Sequence, residues 1–352
     1  MPQVLKNAWR DGATLPPALR GDVMPSTDVE AVAKLLSLCP AHSPTPLTDA
    51  PQIAERAGVA RVLVKDESSR MGLGSFKALG AACAIAMDAQ ESGRQPWETA
   101  LKDVCYVTAS AGNHGLSVAA GAALFGARAV VYLADTVPEA FAARLRARGA
   151  QVVRAGAVYE ESMQAAENAA GENGWILLSD SSWPGYTRLP GHVMQGYLQM
   201  AAEAVAAMDA APTHIVLQAG VGGMAAAVAA YARLVWQDAP TIIVVEPDAA
   251  PALIESIRSG TLADTTGPVS AMGRLDCKTP SMIALHGLAR DADYFVTISE
   301  EEAASGVEVL AACGLMTTPS GGAGLAALLA GLPGCGTTST VLTILSEGPE
   351  DV

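Results

Sequence analysis

The segment SRMGLGSFKALG, residues 69–80, sets Lys77 behind two glycines at the head of a helix-like run, with no acid on its C-terminal side until Asp88. An amine in such a place is either a solvated side chain lying along apolar neighbours or a nucleophile desolvated for covalent work on carbonyls. Lys77 alone does not decide between them. Two glycine-rich stretches supply context. QAGVGGMAAAV follows the apolar run HIVL and opens an alanine-rich helix. The amides of Gly220, Val221, Gly222 and Gly223 can there converge on a phosphate, aided by the roughly half positive charge of a helix N-terminus. A tight strand-to-helix turn without a ligand reads equally well from this motif alone. The spacing is not the G-x-G-x-x-G of dinucleotide sites.

TASAGNHGLS places Ser110, Ala111, Gly112, Asn113 and His114 between the strand CYV and a helix beginning near Leu116. Backbone amides of such a loop suit a carboxylate, and Asn113 presents an amide to a ring hydroxyl. Asn113 is equally an ordinary helix N-cap, and His114 by itself reads as structural. Taken together, a desolvated amine, a phosphate cup and a carboxylate loop are the parts that a pyridoxal 5'-phosphate site requires.

These parts need strands and helices to hold them. Short β-branched runs, each followed by a glycine turn and an alanine-rich segment, recur as VCYVTAS, AVVYLAD and HIVLQAG. Further strands are expected near residues 63, 153, 177, 243 and 296 and in TVLTILSEG. Such alternation predicts an α/β fold of open, mostly parallel sheets flanked by helices, with ligands at the carboxyl ends of the strands. A third glycine cluster, SGGAG at 320–324, falls at the same kind of place. The first forty residues carry little periodic signal, and no role is assigned to them.

At 352 residues, half of them hydrophobic, the chain suffices for two cores. Acids outnumber bases 36 to 22, which argues against nucleic acid and anionic membrane as partners. With no apolar run of membrane-spanning length and no secretory layout at the N-terminus, a cytoplasmic protein is expected. The six cysteines are scattered, without metal-site spacing, and read as buried free thiols.

The motifs SFK, SAGNHG, GVGG and LSEG stand in the order and approximate spacing of the tryptophan synthase β-like, or fold type II, pyridoxal phosphate enzymes, which the chain resembles over most of its length. The longer strings KDESSRMGLGSFKALGA, SWPGYTRLPGHVMQGY and SAMGRLDCKTPS look most like the diaminopropionate ammonia-lyases. The resemblance implies that Lys77 holds the cofactor covalently and that Asn113 bonds its ring hydroxyl. Gly220, Val221, Gly222 and Gly223 would wrap the phosphate, and Ser346 would face the pyridine nitrogen. Ser110, Ala111, Gly112 and His114 would form the substrate carboxylate loop. Asp180, read alone as an Asx-turn residue, becomes a proton-transfer group for the L-isomer. One departure is Ala111, which stands where lyases acting on both isomers carry an aspartate; the face opposite Lys77 then lacks a base.

The expected architecture is a large domain of residues 1–75 and 188–352 and a small domain of 76–187 that closes over the cleft. The expected reaction is β-elimination from a small L-amino acid, with 2,3-diaminopropionate giving pyruvate and ammonia, in a homodimer without a metal. An L-serine/L-threonine dehydratase, a β-replacement synthase and a non-catalytic cofactor-binding protein are the alternatives.

Overall fold

The apolar runs set between glycine turns form the strands of two sheets. The computed structural model describes residues 3–10 and 14–349. In chain order the strands are β1 (Val4–Lys6), β2 (Leu47–Asp49), β3 (Arg61–Asp66), β4 (Cys105–Ala109), β5 (Arg128–Leu133), β6 (Gln151–Arg154), β7 (Ile176–Leu177), β8 (His214–Gln218), β9 (Thr241–Pro247), β10 (Tyr294–Ile298) and β11 (Thr340–Leu345). Seven of them build one sheet in the order β1-β10-β9-β8-β11-β3-β2, and four build another in the order β6-β5-β4-β7. All neighbours run parallel except the edge strands β1 and β2.

Parallel strands are covered on both faces, so they must be apolar throughout. β4 and β8 are buried at every position. The covering helices are rich in Ala and Gly, which lets backbones come close. Helix Lys77–Ser92 meets helix Arg188–Gly196 at a point where a Cβ on Gly196 would stand 2.3 Å from Leu79 O. Side chains such as Ile53, Leu79, Leu178 and Phe295 are fully buried, each contributing about 1.5–3 kcal/mol through apolar area removed from water.

Both strand orders reverse direction of winding once. In the small sheet this happens between β4 and β7, and in the large one between β8 and β11. Crevices open outside the strand ends at such points, and the loops singled out in the sequence lie there.

The first forty residues do have a structural role. β1 pairs antiparallel with β10, and the Asn7 amide, fully buried, donates to Ala289 O and Ala292 O at 2.9 and 2.7 Å. Helix Val29–Leu36 is capped by Asp28 and buries Val32, Leu35 and Leu36. A three-residue strand and a two-turn helix are too short to produce a period. The thiols also differ from expectation: Cys83 and Cys105 are buried, while Cys39, Cys277, Cys313 and Cys335 are partly accessible. Among the described residues no helix is long and apolar enough to cross a membrane.

Candidate active site

Lys77 is the first residue of its helix, and the loop before it is held in a conformation that few sequences allow. Met71, Gly72 and Gly74 have φ of 50, 65 and 82°, which glycine tolerates and methionine does not without strain. Arg70 fixes this loop. Its fully buried guanidinium donates to Glu67, to Glu203, to Thr45 Oγ1 at 2.9 Å and to Ser43 O at 3.0 Å. Lys65 adds a bond of 2.6 Å to Glu203, whose carboxyl is held down at about 2: burial opposes this, and the hydrogen bonds from Arg70 and Lys65 outweigh it. At the far end of the loop, Phe76 N donates to Ser346 O at 3.0 Å. The backbone beneath Lys77 is thereby fastened to the end of β11.

No acid lies near Lys77 in sequence, yet the fold supplies one. Lys77 Nζ donates to Asp180 Oδ2, and the two form an ion pair. Burial pulls the lysine ammonium down, but the Asp180 carboxylate beside it lifts it above its ordinary value. Burial likewise pushes Asp180 up, and Lys77 brings it well below the usual carboxylate range.

Asp180 sits on a loop pinned from two sides. Leu178 O, one residue past the end of β7, accepts from His114 Nε2 at 2.8 Å, while Tyr186 OH donates to Leu177 O at 2.8 Å and accepts from Ser179 N at 3.0 Å. Two residues beyond Asp180, the Ser182 and Ser281 hydroxyls meet at 2.7 Å. Ser281 N in turn donates to Val221 O at 2.9 Å, which ties the Asp180 loop to the glycine turn after β8.

That turn has the features of an anion site. Helix Gly223–Trp236 starts with no side-chain cap, and its N-cap Gly222 has φ of 94°, so no capping side chain takes up the first amides of the helix. A Cβ at Gly220 would stand 3.0 Å from Cys277 Sγ and 3.1 Å from Arg274 O, and one at Gly223 3.2 Å from Met194 Cγ. Gly222 differs, because its Cβ would point among Ala284, Leu253 and Leu288. The glycines let the turn press against walls on every side but the open one.

The helix expected from Leu116 begins at Asn113, with Gly112 as its N-cap, so the Asn113 side chain does not cap it. The Ser110 hydroxyl accepts from Gly112 N and Gly115 N at 3.3 and 3.1 Å and shapes the loop around Ala111. The His114 imidazole turns away from this loop to Leu178 O, and burial lowers its pKa. Asn113 Nδ2 donates to Glu347 Oε2 at 2.5 Å. Ser346, buried at the end of β11, places its amide 3.1 Å from Gly321 O. The third glycine cluster serves packing: Gly321 O also accepts from Gln218 Nε2 at 2.9 Å, and a Cβ there would stand 2.2 Å from Thr317 Oγ1.

Four residues here went unread in the sequence. Glu347 and Arg274 form an ion pair at 3.0 Å above the Asn113 side chain. Tyr197 stacks edge-on against Phe76 at 4.9 Å, with its ring 3.8 Å from the Cβ position of Gly223. Cys277 lies beside the turn, its thiol pushed up to about 12 chiefly by burial, with the Asp180 charge adding to it. All four stand in the strings that carry the resemblance, LSEG, SAMGRLDCKTPS and SWPGYTRLPGHVMQGY, but nothing in those strings indicates their contacts.

Pyridoxal phosphate fits this set of groups. An amine, an uncapped helix N-terminus lined by glycine, an amide and a buried hydroxyl all stand at carboxyl ends of parallel strands, and the Tyr197 hydroxyl is buried without a partner among the described residues. A family profile described as pyridoxal-phosphate dependent enzyme matches residues 38–347. The diaminopropionate ammonia-lyase of Escherichia coli (strain K12) is 34% identical over 284 residues, 76% of this chain and 71% of that one. The L-serine dehydratase/L-threonine deaminase of Mus musculus is 29% identical over 290 residues, 82% and 83% of the two chains. The crystal structure of the Escherichia coli lyase in complex with D-serine superposes with a TM-score of 0.85 at 28% identity, covering 99% of this chain and 94% of that one.

Proposed function

Since the chain belongs to the pyridoxal-phosphate dependent enzymes, we propose that it is the lyase which its relatives suggest, eliminating the β-substituent of a small L-amino acid, with L-2,3-diaminopropionate as the first candidate. In that case one substrate and one water give pyruvate and two ammonia. Pyridoxal phosphate, when bound, supplies the electron sink for a carbanion at Cα.

The chain's own residues supply the rest. Lys77 is the amine that would hold the cofactor. Gly220, Val221, Gly222 and Gly223 would receive the phosphate, Asn113 the ring hydroxyl and Ser346 the pyridine nitrogen. A serine hydroxyl there does not enforce ring protonation, which suits a β-leaving group that departs quickly. Ser110, Ala111 and Gly112 offer their loop to the substrate carboxylate. Asp180, released from Lys77 once that amine is engaged, accepts or returns a proton on the substrate. The segment 76–187 moves as a small domain against 1–75 and 188–352 and excludes water from the reacting carbons. The proposal extends to a homodimer in the cytoplasm, acting on small amino acids.

The observation that carries this reading is the Lys77–Asp180 pair, an amine and a proton acceptor in one cleft. A panel of amino acids offered to purified protein tests it. Two ammonia per pyruvate from L-2,3-diaminopropionate is the expected result. Pyruvate or 2-oxobutyrate from L-serine or L-threonine, with no reaction of the diamine, would establish the dehydratase instead, which the murine relative favours. No keto acid from any of them would refute β-elimination.

A further inference from the structure

The Asn113 amide is itself held, and by a residue to which no role has been given. Glu347 is 4% exposed, and its carboxylate is saturated from several directions. Oε2 accepts from Asn113 Nδ2 at 2.5 Å and pairs with Arg274 Nε at 3.0 Å; Oε1 accepts from Thr318 Oγ1. The backbone is fixed as well, with Thr317 Oγ1 donating to Glu347 O at 2.6 Å and Ser75 bridged to Glu347 two residues before Lys77. A carboxylate so buried persists only where charge and hydrogen bonds compensate it.

A carboxylate can only accept, so the nitrogen of the Asn113 amide, not its oxygen, must face Glu347. That removes the freedom of the amide to flip. One N–H is spent on Glu347, and the other remains the donor available to a ring oxygen. The contact also crosses between the two sheets, since Asn113 follows β4 and Glu347 follows β11. We infer that Glu347 is a positioning residue for the cofactor: anchored by Arg274 and Thr318, it orients the Asn113 amide toward the ring hydroxyl and ties that contact to the large sheet. This inference rests on the reading of Asn113 as the ring-hydroxyl partner.

The test compares Glu347→Gln, Asn113→Ala and the double variant, each reconstituted with pyridoxal phosphate. The cofactor absorption spectrum is followed against pH, the cofactor dissociation constant is titrated, and kcat and KM are measured. A glutamine can present either end of its amide, so the Asn113 flip is no longer fixed. Glu347→Gln should weaken cofactor binding by roughly 10-fold, displace the pH midpoint of the spectrum and lower kcat more than it changes KM. In the Asn113→Ala background the same change should alter affinity and midpoint little, within about twofold. Equal effects in both backgrounds, or an unchanged spectrum and affinity in Glu347→Gln, would overturn the inference while leaving Asn113 its role. An Asn113→Ala protein with unaltered spectrum and affinity would instead overturn the reading of Asn113, and the inference with it. Should Glu347→Gln fail to fold, Thr318→Val removes one anchor and keeps the charge. It should displace the midpoint in the same direction, again only when Asn113 is present, and its failure to do so counts against the inference.

Discussion

The Lys77 amine and the Asp180 carboxylate form an ion pair that joins the first turn of one helix to a loop 103 residues farther along the chain. Each partner holds the other in its charged form against burial, which would neutralise both. The Asp180 contribution to stability is therefore present above its unfolded pKa of about 3.9 and is lost as pH falls. The Lys77 contribution is present below about 10.4 and is lost as pH rises.

In Asp180→Asn, the charge that most strongly opposes burial at Lys77 is gone, and the lysine pKa falls. Attack on an aldehyde needs the neutral amine, so the cofactor-free variant should take up pyridoxal phosphate faster than the unaltered protein at pH 7. Turnover should fall by about 10²- to 10⁴-fold for loss of a general acid–base group. Stopped-flow absorbance gives the first quantity and steady-state kinetics the second. Slower uptake by the variant would contradict the electrostatic coupling.

The glycine turn makes a separate prediction about phosphate. Gly220→Val has no room beside Cys277 Sγ and Arg274 O and must push the turn toward its open side. Cofactor affinity should drop at least about tenfold, with circular dichroism unchanged. Inorganic phosphate should slow reconstitution of the unaltered protein competitively. Affinity equal to that of the unaltered protein would leave the turn as a turn only. Gly222 is unsuited to this test, because its substituent would enter the core.

Ala111 bears on stereochemistry. On the proposed reading Ala111 leaves the face opposite Lys77 without an acceptor, so the D-isomer of 2,3-diaminopropionate should react far more slowly than the L-isomer, and Ala111→Asp should raise D-turnover. Comparable rates for the two isomers in the unaltered protein would refute this account of Ala111.

Arg70→Met tests the foundation of the site. Removing the guanidinium leaves Glu67 and Glu203 buried with one cation, Lys65, between them. Loss of one partner from such a cluster costs about 3–5 kcal/mol. Urea titration should register that loss as a lower midpoint; a change below about 1 kcal/mol would mean that water repairs the gap.

Most of the large-scale order was legible because parallel strands are apolar along their whole length and end in glycine. HIVLQAG and VCYVTAS announce both the strand and the ligand loop behind it. What escaped was long-range pairing of charge. Nothing near Lys77 in sequence indicates Asp180, and nothing near Arg70 indicates Glu203, 133 residues away. Burial of Glu347 was hidden for the same reason: an acid reads as exposed until its partners, brought from three other segments, are in place. His114 was read with its loop neighbours because adjacency in sequence does not reveal the direction of a side chain at a helix start.

The position of β11 sets an order of assembly during synthesis. It is the strand formed farthest along the chain, yet it lies in the interior of the seven-stranded sheet, between β8 and β3. β4 to β7 can pair as soon as residues 105–177 have left the ribosome, since they need no strand from elsewhere. The large sheet stays divided until β11 inserts, and the rest that Ser346 gives to the backbone beneath Lys77 arrives with it. A nascent chain halted before residue 340 therefore carries the lysine without its seat. Cofactor capture should begin only after that insertion, which makes it a chemical marker for the arrival of β11 in the sheet.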